Sequence, residues 1–144
     1  MKRFSRLICI LLSVVLMLSA PAAAAENVEP RASNFFGSSS VYISMKTSTQ
    51  FKVWFEVTAL GIMDKVGASE IKVQKSSDGE NWTTMKTYSM DNYSNMICED
   101  TASHASYVTY TGQTGYYYRA KITLYAENSS GVGEWIRYTS SVLL

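Results

Sequence analysis

GYYYRAKITLYAEN, residues 115–128, is the stretch whose reading decides the fold class. From Tyr118 onward, Tyr118, Ala120, Ile122, Leu124 and Ala126 fall on one side, and Tyr117, Arg119, Lys121, Thr123 and Tyr125 on the other. A period of two, rich in aromatic and β-branched residues, predicts a long strand with one buried face. Helix is the losing alternative, because helical spacing scatters Ile122 and Leu124 away from Tyr118 and Tyr125. Such a strand needs neighbours on both edges and a second layer over its apolar side.

The flanking sequence offers those neighbours. Residues 134–143 predict a final strand, reached through the Gly-rich turn NSSGVG at 128–133. Upstream, residues 51–58 alternate Phe51, Val53, Phe55 and Val57 against Lys52, Trp54, Glu56 and Thr58, a second half-buried strand. Residues 38–46, 70–75, 82–88 and 104–111 complete the set. Asp78-Gly79 is the strongest turn signal, since a tight hairpin needs the positive φ that glycine supplies. Gly61 and Gly67 bracket Ile62, Met63 and Val66, so residues 60–68 predict a connection carrying its own apolar plug. Residues 89–102 are polar and irregular. About seven strands at short, regular intervals, without a helix, predict an all-β sandwich with Greek-key connections. A small closed barrel is the alternative.

The amino terminus reads differently. Lys2, Arg3 and Arg6 precede an apolar run over 7–20, and Pro21 and small residues follow up to Ala25. That order predicts a secretory signal peptide over 1–25, cleaved after Ala25. The run is too short for the roughly 20 residues that span a bilayer, so no stable membrane insertion is expected after cleavage. Residues 26–37 then form a lead-in and 38–144 the β domain. Cleavage removes three of the 13 Lys+Arg and none of the 12 Asp+Glu, so the mature chain is weakly acidic. With no basic run, nucleic-acid binding is not expected. Of the two cysteines only Cys98 survives, which excludes an intramolecular disulfide. A buried, inert thiol is the favoured expectation over one available to a partner chain. No sorting motif follows the last strand, which predicts a product released or held non-covalently.

IKVQKSSDGENW (71–82) and YYRAKITLYAENSSG (117–131) together resemble a fibronectin type III-like domain, an architecture that implies no particular activity. Cys98 has no place in that pattern. The mature chain as a whole resembles a group of small secreted proteins of Gram-positive, gut-type bacteria, a domain of unknown function. The likeness lies in PRAS (30–33), VTALGIMDKVGA (57–68), SSDGENW (76–82), KTY (86–88) and YRA (118–120). It implies export from a bacterium and no known activity.

Catalytic chemistry finds little to build on. His104 is the single histidine, placed before a predicted strand among small residues, and reads as a surface or edge residue. One histidine and one mature cysteine cannot form a structural zinc site. Asp91, Asn92, Asn95, Glu99 and Asp100 supply oxygen ligands, but their spacing fits no calcium loop. No Gly-rich loop leads into a helix, so no phosphate cradle is expected. The sequons at Asn81, Asn92 and Asn128 carry meaning only in a eukaryotic secretory chain. The expectation is therefore a non-enzyme without a cofactor. Its candidate binding surface is the outer sheet face of Tyr117, Arg119, Lys121, Tyr125 and Trp135, joined by Lys72, Gln74 and Arg137. Aromatic rings there suit an extracellular glycan or protein. Trp54 is expected on the opposite sheet, and so apart from that face. The competing expectation is an inert structural or spacer module of the cell envelope, whose cross-strand pairs only stabilise a solvated sheet.

Overall fold

The computed structural model describes residues 34–144. The expected signal peptide and most of the lead-in lie outside them. Seven strands follow one another: β1 (Phe36–Met45), β2 (Gln50–Ser76), β3 (Thr83–Ser89), β4 (Ile97–Thr111), β5 (Tyr117–Asn128), β6 (Gly131–Tyr138) and β7 (Val142–Leu143). All pair antiparallel in a single sheet, in which β1, β2, β5 and β6 form the main path. β3 and β4 add to β2, and β7 adds to β5.

β2 organises the whole. Its first half, with Phe51, Val53, Phe55 and Val57 buried, lies between β1 and β4. Its second half, with Ile71 and Val73 buried, lies between β3 and β5. Between the halves the register slips on the β4 side, from Thr58 to Met63, and on the β5 side, from Ala68 to Glu70. Extra residues on one strand bend it and increase its twist, so the sheet curls into a half-barrel. The halves meet through Phe51 against Tyr118 (ring centroids 5.5 Å apart) and Phe36 against Trp135 (5.9 Å).

This corrects the connection expected at 60–68. The stretch is strand, and Gly67 serves the bend. A Cβ on Gly67 would collide with the Met96 carbonyl oxygen, so glycine is what lets the start of β4 approach. Met63 and Val66 are buried as the expected plug, but Ile62 is 76% exposed. The strand count of seven survives because two expected strands merge into β2 while the expected last one divides into β6 and β7.

β5 follows the alternation read from its sequence. Tyr118, Ala120, Ile122, Leu124 and Ala126 are all at most 1% exposed. The Tyr118 hydroxyl accepts the Gln113 N–H at 2.9 Å, pinning the approach to the strand. Where β6 stops and β7 has not begun, Thr139 serves Ala120 twice: its N–H donates to the Ala120 carbonyl (3.0 Å) and its hydroxyl accepts the Ala120 N–H (2.9 Å). No backbone group of Ala120 is thereby left unpaired inside the core.

The Asp-Gly turn behaves as expected, with Gly79 at φ 78. The Asp78 carboxylate accepts hydrogen bonds from the Asn81 side chain (2.7 Å) and backbone (2.8 Å), the Ser76 hydroxyl (2.7 Å) and the Glu80 N–H (2.9 Å). Those donors hold its pKa far below the usual carboxylate range. In the irregular stretch, a short 3-10 turn (Ser94–Met96) buries Met96 and leads into β4. Cys98, expected to be buried, is exposed. It stands in the first residues of β4, lining a surface groove with Lys65, Met90 and Glu99 instead of reaching the core.

An aromatic and cationic outer face

Five outward residues of β5, Tyr117, Arg119, Lys121, Thr123 and Tyr125, form one half-buried row. Directly opposed residues of an antiparallel pair share a face. Gln74, Lys72 and Glu70 of β2 therefore stand beside Arg119, Lys121 and Thr123. On the other edge, Tyr138, Ile136 and Glu134 of β6 stand beside Lys121, Thr123 and Tyr125.

Arg119 is the centre of this face. Its guanidinium carbon lies 4.3 Å from the Trp82 ring centre and 4.9 Å from that of Tyr138. Its Nε donates to the Gln74 side-chain carbonyl at 2.9 Å. Two cation–π contacts and a hydrogen bond hold the guanidinium in place. Trp82 reaches it from the loop between β2 and β3, just ahead of Thr83. Arg119 forms no ion pair with any described residue. The ion pairs among these residues are Lys72–Glu70 at 2.7 Å and Lys65–Glu127 at 4.0 Å.

The other expected site residues divide. Tyr117 packs its ring on the Asp78-Gly79 turn, where a Cβ on Gly79 would stand 3.8 Å from it. Lys121 faces Lys72 across the strands and has no ion-pair partner among the described residues. The Tyr125 hydroxyl donates to Glu127 at 2.8 Å. Burial first, then Glu127 and Glu134, pushes its pKa up to about 12.

Trp135 does not belong to the row. It pairs with Leu124, faces the core and meets Phe36, while Arg137 stacks on it at 4.7 Å, also on the inner side. Ile136 and Tyr138 take the outward places expected of Trp135 and Arg137. The hairpin itself carries this correction: Asn128 pairs with Gly131, and counting back along both strands brings Trp135 opposite Leu124. Trp82 and Tyr138 are the members that sequence reasoning missed. The first lies outside any strand, and the second depends on that same hairpin register.

Trp54 lies apart from this face, not on a second sheet as expected but on the outer side of β2's first half, in the same sheet. It stands between Tyr42 (6.2 Å, nearly parallel) and Tyr107 (4.5 Å) on the neighbouring strands, and Lys52 Nζ lies 3.9 Å from the Tyr107 ring centre.

His104 and the polar stretch before it are engaged in holding the fold. His104 Nε2 lies 2.8 Å from the Asn95 carbonyl oxygen, and its ring meets Phe55 edge-on. The Asn95 amide donates to the Ser106 hydroxyl and the Tyr107 carbonyl, both at 3.1 Å. Asp91 accepts the Ser89 hydroxyl at 3.1 Å. Among the described residues, no three or more His, Cys, Asp or Glu gather as metal ligands, and no helix is long and apolar enough to cross a membrane.

Comparison with family models and with curated proteins finds no match. Among solved structures, the sporulation control protein Spo0M of Bacillus subtilis is similar, at 10% identity and a TM-score of 0.40. The match covers 72% of this chain and 49% of that one, so this chain spans about half of its length.

Proposed function

We propose that this chain is an exported, non-catalytic β module that binds an extracellular ligand, a glycan or a protein, on the outer face of β2, β5 and β6. The observation that carries the reading is Arg119, clasped between Trp82 and Tyr138 in the middle of a half-buried row. Rings on a sheet face bury much area at little entropic cost, and arginine beside them is the usual composition of a binding hot spot. Export by a signal peptide over 1–25 and a bacterial, Gram-positive source belong to the same proposal.

So does the finer architecture, a fibronectin type III-like sandwich. Its supports are the Asp-Gly turn before Trp82 and the Tyr118 hydroxyl tied to the backbone upstream, an arrangement akin to the tyrosine corner of such sandwiches. The unbroken β2, shared by both halves, departs from two separate sheets.

A spacer module of the cell envelope is the second reading. It is favoured by the way this face satisfies itself, through Tyr125–Glu127 and Lys72–Glu70.

Glycan-array and pull-down screens of the purified protein test the first reading. A retained ligand, lost when Tyr117→Ser and Tyr125→Ser are combined in a protein that still folds, is the expected result. No ligand in either screen, with the double variant changing only stability, would leave the spacer.

A further inference from the structure

We infer that Arg119 is a carboxylate anchor and that the ligand of this face is an acidic glycan, an inference that rests on the binding role proposed above. Two aromatic rings strip water from the guanidinium, and stripping water from a charge is costly unless a counter-charge replaces it. Elsewhere on the face such partners exist: Glu70 holds Lys72, and Glu127 reaches Lys65. Arg119 has none among the described residues. Of its five N–H donors one is given to Gln74, and no other protein acceptor is found among those residues. A planar guanidinium with free donors matches a carboxylate by two parallel hydrogen bonds. The rings and Gln74 have already fixed its orientation, so little further entropy is lost when the anion arrives.

Lys121, also without an ion-pair partner among the described residues, stands two residues along the same side of the strand. That is roughly 7 Å farther on, and it offers a second cation for a polymer of repeated charge. A glycan fits better than an acidic peptide. β5, which carries Arg119 and Lys121, is paired with β2 on one side and with β6 and Thr139 on the other, so no free strand edge for a peptide backbone lies beside the anchor; the open edge is that of β6, one strand away. Recognition falls to rings, hydroxyls and the guanidinium, and a sugar acid offers a flat apolar side beside its carboxylate.

Isothermal titration of the purified protein with trigalacturonate and with a hyaluronan tetrasaccharide, each beside its carboxyl methyl ester and a hexaglutamate peptide, is the test. The expected result is binding of an acidic sugar at least about tenfold tighter than its ester, the loss expected when a charge-assisted hydrogen bond goes. Arg119→Lys, which keeps the charge but not the two parallel hydrogen bonds, should weaken that preference, and Arg119→Gln should abolish it, both melting near wild type. The acid-to-ester comparison on the wild-type protein needs no variant to fold. An ester bound as tightly as its acid overturns the anchor while leaving a glycan-binding face. Hexaglutamate bound more tightly than either sugar overturns the glycan. No binding to any probe also overturns the inference, and the array screen then decides separately whether the face binds anything.

Discussion

Tyr88 is buried against the ring of Tyr93, and its hydroxyl donates to the Thr109 carbonyl at 2.8 Å, tying β3 to β4. Burial, with smaller contributions from Tyr93 and Tyr110, pushes its pKa up to about 12. The folded protein thus holds this proton more tightly than the unfolded chain, whose tyrosines ionise near 10. The stability so gained is whole below pH 10 and is lost as the pH rises from about 10 towards 12. Tyr88→Phe removes the hydrogen bond, costing about 1 kcal/mol at neutral pH, and should flatten this alkaline loss. Urea melts of both proteins between pH 8 and 12 measure both effects. At the same scale, Cys98 should react with a thiol reagent in the folded protein at the rate of a free thiol, and denaturant should accelerate it little. The favoured sequence reading placed this thiol inside, because cysteine is among the most buried residue types. Composition says nothing of a residue's distance from the rim of a sheet, and that distance decides the matter here.

Elements were legible where one rule governed them and obscure where two competed. In β5 the alternation, the burial and the hydrogen bonding agree, and Tyr118, Ala120, Ile122 and Leu124 are core in sequence and structure alike. In residues 60–68, glycine signals a break while the pairing partners on both sides demand continuity, and pairing wins. The two glycines are not equivalent. Gly67→Ala forces a Cβ into the Met96 carbonyl and should cost at least about 2 kcal/mol, as overpacking with backbone displacement does. Gly61→Ala meets nothing within 4 Å and should leave stability nearly unchanged. Thermal denaturation of the two variants side by side checks this, and equal melting temperatures would show that the bend tolerates a side chain at either place. The error at Trp135 has a related origin. In β6 every outward assignment hangs on one hairpin, and a one-residue difference in register exchanges the faces of all its side chains.

For the whole molecule, the all-β class was readable because alternation and turn chemistry are local, while the count of seven matches only because a merger in β2 and a division into β6 and β7 cancel. The curl was not readable, since it arises from register slips that only the paired strands reveal. The candidate site was half readable for the same reason. The row on β5 follows from one strand, while the clasp around Arg119 draws Trp82 from a loop and Tyr138 from another strand. Three tryptophans now mark three separate regions: Trp82 on the proposed face, Trp54 on the outer side of the first half, and Trp135 on the inner side, half-buried against the core. Indole N–H resonances in a 15N spectrum, followed while trigalacturonate is added, therefore report on each region independently. The account predicts that the Trp82 signal shifts and saturates while those of Trp54 and Trp135 hold still. A Trp82 signal unmoved at saturating sugar, or a shift confined to Trp54, would contradict it.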